Sequence, residues 1–331
     1  MTVLSYEPAT EKRAINWSAW AQRLGALIGL AFVFSLFAVL RPRTFLTLEN
    51  LEQIILETAV VAAAGLGMTL IIISGGIDLS VGANIAMCTV VIALFLRMKV
   101  NPLLAAAGGV AVSACWGLVI GGLVTGLDLA PFIVTLGLWG AIRGAAKGFA
   151  SNSTVYPPVT WLNSLLTSLR PGQHWMLVPP GVWVTIVLAI GVALLMRYTK
   201  FGRHIFAIGS NQQTARLCGV GVNRTKLGVY VLAGALAGVA GVLHFSFLNV
   251  GDPTTADGME LDIIAAVVIG GASLTGGEGT VLGTILGALL MKMVNNGCAK
   301  MHWDNWVQQI VTGAIIIVAA ALDRLRHRKA A

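Results

Sequence analysis

The sequence predicts an all-α polytopic membrane protein with about ten transmembrane helices, several of them short or broken by glycine. Three observations carry this. The 331 residues are 56% hydrophobic, with a mean hydropathy of +0.83, and only 11% are charged, where a soluble domain carries roughly 25%. Apolar runs recur at lengths close to the ~20 residues that cross a hydrocarbon core as helix. The runs lack the period-2 alternation that a membrane barrel requires.

Residues 1–19 are polar and mixed in charge and predict a cytoplasmic tail. The run from Trp20 to Leu40 is long enough to span and has no small-residue cleavage site, so it predicts an uncleaved first helix. Further apolar segments lie near 53–74, 81–96, 102–126, 131–149, 180–196, 227–247, 263–275, 281–296 and 306–322, which bounds a membrane domain at 20–322 and leaves a basic tail at 323–331. The segment 150–179, with Tyr156-Pro157-Pro158 and Arg170-Pro171-Gly172, is the longest outer connection and predicts a short surface helix. The segment 197–226 is the longest inner one.

Basic residues orient the chain. With ten spans, one side holds Lys12, Arg13, Arg23, Arg197, Lys200, Arg203, Arg216, Arg224, Lys226, Arg324, Arg326, Arg328 and Lys329; the other holds Arg41, Arg43, Arg97, Lys99, Arg170 and Lys300. The richer side is expected to be cytoplasmic, which puts both termini inside. The net charge of +8 is accounted for by these helix-end bases, and without an aromatic-interleaved basic patch it does not point to nucleic acid. Cys88, Cys115, Cys218 and Cys298 have neither disulfide-framework nor metal-ligand spacing. No metal or cofactor is expected. None of His174, His204, His244, His302 and His327 falls in a catalytic pattern.

The stretch Ile73–Gly82, ISGGIDLSVG, aligns without gaps on Val268–Gly277, VIGGASLTGG. Gly75 and Gly76 meet Gly270 and Gly271, Ser80 meets Thr275, and Gly82 meets Gly277. Each is an apolar run, a double-glycine break and a hydroxyl residue suited to cap the next helix. Internal duplication, as in transporters, is one reading; the frequency of glycine in membrane helices is the other. Broken helices at membrane depth are tolerated where the backbone is buried in protein or lines a cavity. Asp78 in the first break is expected first of all to cap the following helix's amides; an ion or proton site is the second reading for an intramembrane acid.

On the inner segment, Ser210-Asn211 before Gln212–Leu217 and Gly219 beyond reads as a capped short helix with a glycine stop. The stretches Gly67–Gly82, Pro131–Gly137 with Arg143-Gly144, Phe201–Lys226, Met259–Leu289 and Asn296-Gly297 together resemble the permease subunit of ribose-type monosaccharide ABC importers, over about residues 44–323. Thr214 and Cys218 depart from the usual alanine and serine of that pattern.

The resemblance implies a bacterial inner-membrane permease that works as a homodimer in lipid. It would receive a monosaccharide from a periplasmic sugar-binding protein and be driven by a separate cytoplasmic ABC ATPase. No lysine follows a glycine anywhere, so the chain lacks a phosphate loop and is expected not to be an enzyme itself. The expected ATPase-coupling residues are Gly209, Asn211, Ala215, Arg216, Leu217, Gly219 and Val220. The hydrogen-bonding candidates for a sugar path are Thr69, Asn84, Thr135, Arg143, Asn295 and Asn296, each of which can instead bind helix to helix. Arg143 and Lys147 share a helix face, and they and Lys292 suit either an interface or a path. Glu260 and Asp262 fall near an aqueous boundary. An ion-coupled secondary transporter of a small polar solute is the alternative.

Overall fold

The computed structural model describes residues 17–169 and 176–328. Its helices are α1 (Trp17–Leu40), α2 (Pro42–Phe45), α3 (Leu48–Ile73), α4 (Val81–Arg97), α5 (Pro102–Gly126), α6 (Pro131–Phe149), α7 (Pro180–Tyr198), α8 (Lys200–Ser210), α9 (Gln212–Leu217), α10 (Val222–Leu248), α11 (Met259–Ile269), α12 (Val281–Lys300) and α13 (Asn305–Arg328). α3, α5, α7, α10 and α12 are each long and apolar enough to cross a membrane; Ala26–Leu40, α4 and Asn305–Ala321 are shorter apolar helices. The chain is an all-α, multi-pass membrane protein.

Local signals set many helix starts. Thr47, Asn101, Thr199, Asn211 and Thr280 each accept a first-turn amide on the side-chain oxygen, and proline opens α5, α6 and α7, where its missing N–H costs nothing. α3 is apolar all round and is buried continuously from Thr58 to Ile73, as expected of a helix at the centre of a bundle. Small residues let its neighbours close in. A Cβ on Gly67 would lie 2.9 Å from the Cα of Ala233 in α10, and one on Gly117 of α5 would lie 3.2 Å from the Cα of Gly234.

Several boundaries differ from the sequence expectation. The segment near 263–275 is not a span: α11 starts at Met259 and ends at Ile269, and its 11 residues reach only ~16 Å of a ~30 Å core. The inner segment 197–226 is mostly helical, because α8 and α9 occupy it and α10 begins at Val222 instead of near 227. In the described part of the outer connection a 3-10 turn lies at Trp161–Ser164, and Val155 bridges to Gly251. α1 starts inside the expected N-terminal tail and α13 continues into the expected C-terminal one as far as Arg328; residues 1–16, 170–175 and 329–331 lie outside the described residues.

The two double-glycine breaks are alike, in a register one residue away from the gapless alignment. At the end of α3, Gly75 N–H donates to Ile72 O (2.9 Å) and Gly76 N–H to Ile71 O (2.9 Å); at the end of α11, Gly271 N–H donates to Val268 O (2.9 Å) and Ala272 N–H to Val267 O (3.1 Å). Both are Schellman motifs with a left-handed glycine, Gly75 (φ 81°) and Gly271 (φ 92°). Gly75 is therefore the counterpart of Gly271, not of Gly270. The hydroxyl expectation is corrected as well. Ser80 makes no side-chain cap bond to α4, and α12 is capped by Thr280, not Thr275, because the second break runs on to 280.

Candidate functional site

Two places concentrate polar chemistry, one at each end of the bundle. At the first, the inner helices meet both breaks. Gly277 N–H of the second break donates to Ile73 O at the end of α3 (2.9 Å). Gly209, near the end of α8, lies against both groups: a Cβ there would overlap Ile73 O and Gly277 N. Gly276 lies against Gly209 and Gly75, 2.9 Å from Gly209 O and 3.2 Å from Gly75 Cα when measured from its own ideal Cβ. Three chain segments far apart in sequence thus share one seam without side chains between them.

Asp78 sits buried in the first break, where its Oδ1 accepts both the N–H (2.7 Å) and the hydroxyl (2.6 Å) of Ser80. It closes a turn within the break instead of receiving the amides of α4. Thr135 of α6 donates to Ile77 O (3.2 Å), tying α6 to the same turn. Beyond the seam, α8 and α9 enclose a small apolar core of Ile208, Ala215 and Val222, with Ala207 and Val220 against it. Asn211 Oδ1 accepts Thr214 N–H (2.8 Å). Gly219 closes α9 at φ 82°. A hollow of about 540 Å³ on the outer side is lined by Gln212, Gln213, Arg216 and Leu217, and Leu217 is 89% exposed.

At the other end, the connection from α10 to α11 turns back into the bundle. It runs antiparallel along α4: a Cβ on Gly251 would lie 2.8 Å from Thr89 O, and one on Gly82 would lie 2.5 Å from Ala256 O and overlap Glu260 Oε2. The start of α4 is itself midway along α5, because Asn84 Nδ2 donates to Ser113 O (3.2 Å). Arg143 of α6, 7% exposed, pins the segment by donating from Nη1 to Pro253 O (3.1 Å) and Thr255 O (2.5 Å), with its Nη2 3.6 Å from Asp257. His244 Nε2 bonds Thr255 Oγ1 (2.7 Å). Ala256 is held in the left-handed region at φ 57°, a strain of roughly 1–2 kcal/mol that only a tightly tied segment retains.

Beside this segment is a cavity of about 490 Å³ lined by residues 256–262, Lys292, Asn295, Asn305, Gln308, Gln309 and Thr312. Asp262 Oδ2 accepts from Lys292 Nζ (3.3 Å) and from Asn295 Nδ2 (2.7 Å). Asn305, Gln308, Gln309 and Thr312 stand at i, i+3, i+4 and i+7 on α13, so they form one polar face over its first turns, in the apolar stretch Asn305–Ala321.

Comparison with known proteins bears on what this arrangement serves. Residues 50–320 match the family described as "Branched-chain amino acid transport system / permease component". The chain belongs to this permease family. It is 36% identical over 309 residues to the ribose import permease protein of Escherichia coli (strain K12), covering 93% of this chain and 96% of that protein. The D-allose transport system permease protein of the same strain is 34% identical over 323 residues, 96% of each chain. The L-arabinose ABC transporter permease protein of Azospirillum brasilense is 32% identical over 304 residues, 91% of this chain and 88% of that protein. No solved structure matches. The chain is a transport permease component, not an enzyme.

Of the six path candidates in this permease, Asn295 alone lines the cavity. Thr69 is buried against Thr284 (Oγ1 to Oγ1, 2.5 Å) and Asn296 Nδ2 donates to Asn50 Oδ1 (3.0 Å), so both join helix to helix. Asn84 and Thr135 bond backbone carbonyls, and Arg143 holds the re-entrant segment. Lys147, four residues from Arg143, is exposed while Arg143 is buried. Among the coupling candidates, Arg216 and Leu217 face outward, Ala215 and Val220 belong to the small core, Gly209 lies in the seam, and the exposed Asn211 and Gly219 start and close α9. The sequence reading missed the polar face of α13, whose i, i+3, i+4, i+7 spacing was there to be read, and Asp257.

Proposed function

We propose that this permease is the membrane subunit of an ATP-driven importer that passes a monosaccharide or related polyol from a periplasmic binding protein to the cytoplasm. The names of its relatives support the sugar, and one observation carries the coupling: the seam where Gly209 abuts both Ile73 and Gly277. A cytoplasmic ATPase grips the face of Gln212, Gln213, Arg216 and Leu217. Its closure moves α8, and α8 bears on the ends of α3 and of the α11–α12 break together. With left-handed glycines at both helix ends, the breaks act as the joints through which that movement reaches the cavity between α11, α12 and α13. The binding protein docks at the end carrying residues 150–169. Both termini are cytoplasmic, and two copies pair in the lipid.

Cysteines at Gln213 or Arg216 should crosslink to the ATPase subunit in a nucleotide-dependent way. Labelling of those cysteines by an impermeant thiol reagent added outside intact cells would put α9 on the wrong side and end the proposal.

A further inference from the structure

The cavity beside α13 carries a chemical preference of its own. Three carboxyls line it, those of Asp257, Glu260 and Asp262; Asp262 is paired with Lys292 at 3.3 Å and Asp257 with Arg143 at 3.6 Å, so both nearby cations are committed and one carboxyl is in excess. Glu260 belongs to the lining, but its Oε2 is shut away from the cavity against Gly82 of α4. The Oδ2 of Asp262 is taken by Lys292 and Asn295, and its Oδ1 is bonded by none of the described residues. Gln309 adds an amide that can both donate and accept.

We infer that this cavity is a transit subsite for neutral polyhydroxylated solutes that rejects anions, with Asp262, Lys292 and Asn295 as its specificity-determining unit. The inference rests on the sugar-import reading and adds its selectivity. A sugar hydroxyl donates and accepts at once, so it can give its proton to Asp262 Oδ1 while taking one from Lys292 or Gln309. A phosphate or carboxylate only accepts. It finds no uncommitted cation in the lining, where Lys292 and Arg143 are already paired with Asp262 and Asp257. An amino acid meets the same obstacle with its carboxylate, which separates this cavity from the solute in the family's description.

The test is cysteine protection in native membranes, with the exposed Cys115 and Cys218 replaced by serine. Asn305→Cys reports on the cavity, and Gln308→Cys is the second placement. A cationic thiol reagent should react about tenfold faster than an anionic one of the same size, because like-charged walls concentrate the opposite charge. Asp262→Asn, which removes the carboxylate paired with Lys292, should lower that ratio severalfold, toward one. Pentose or hexose at high concentration should slow the labelling, whereas a sugar phosphate or leucine should not. Equal reactivity of the two reagents, protection by sugar phosphate or leucine as good as by free sugar, or no protection by sugar would each overturn the subsite. Sugar uptake by the complete importer is read separately: uptake with the wrong protection pattern sinks only the subsite, while no uptake of any sugar sinks the proposed function.

Discussion

Gly209→Ala should uncouple ATP hydrolysis from transport. The added Cβ would lie 2.9 Å from Ile73 C and would overlap Ile73 O and Gly277 N, all backbone atoms that cannot rotate aside. Carbon contacts settle at about 3.5–4.0 Å, so α8 must retreat by about 1 Å from the seam. Overpacking of this kind costs about 1–3 kcal/mol, and the neighbouring Gly277-to-Ile73 hydrogen bond (2.9 Å) puts about another 1 kcal/mol at risk. If the seam transmits movement, a penalty of that size should lower sugar uptake at least about tenfold while the ATPase continues to hydrolyse in the assembled complex. Gly221→Ala is the matched control in the same region, because a Cβ there meets nothing within 4 Å and its φ is −73°. Uptake and hydrolysis are measured side by side in reconstituted vesicles at equal permease content. Equal uptake by the two variants would refute the argument that backbone contact at Gly209 carries the stroke.

Asp78→Asn should impair uptake more than Asp128→Asn at matched membrane expression. Asp78 accepts two bonds from Ser80 inside a buried turn, whereas Asp128 sits in the left-handed region (φ 52°), which asparagine tolerates equally well; equal, wild-type rates in both would reduce the first break to a passive turn. Arg143→Met should loosen residues 249–258 and raise their amide exchange, and Arg143→Lys should not restore it, since a single ammonium cannot reach Pro253, Thr255 and Asp257 as the guanidinium fork does. Unchanged exchange in Arg143→Met would mean that His244 and the Val155 bridge hold the segment by themselves.

Composition and apolar run length determined the fold class by themselves, because a chain this apolar must satisfy its backbone within helices if it is to cross a bilayer. Local chemistry also wrote the α9 cap at Asn211, the left-handed stop at Gly219 and the double-glycine ends of α3 and α11, since each depends only on residues within one turn. What the sequence could not decide depended on contacts between distant segments. The apolar run past Ile263 reads as a span by hydropathy, and although its glycine stop is local, only the tertiary structure shows where the chain goes next: Gly270 packs backbone to backbone on Gly283 and Gly277 meets Ile73. Thr69, Asn84 and Asn296 read as well as path residues as Asn295 does; only packing shows that the first three face other helices and the last faces a cavity. The re-entry of residues 249–258 had no local signal at all, because it is imposed by an arginine more than a hundred positions earlier in the chain.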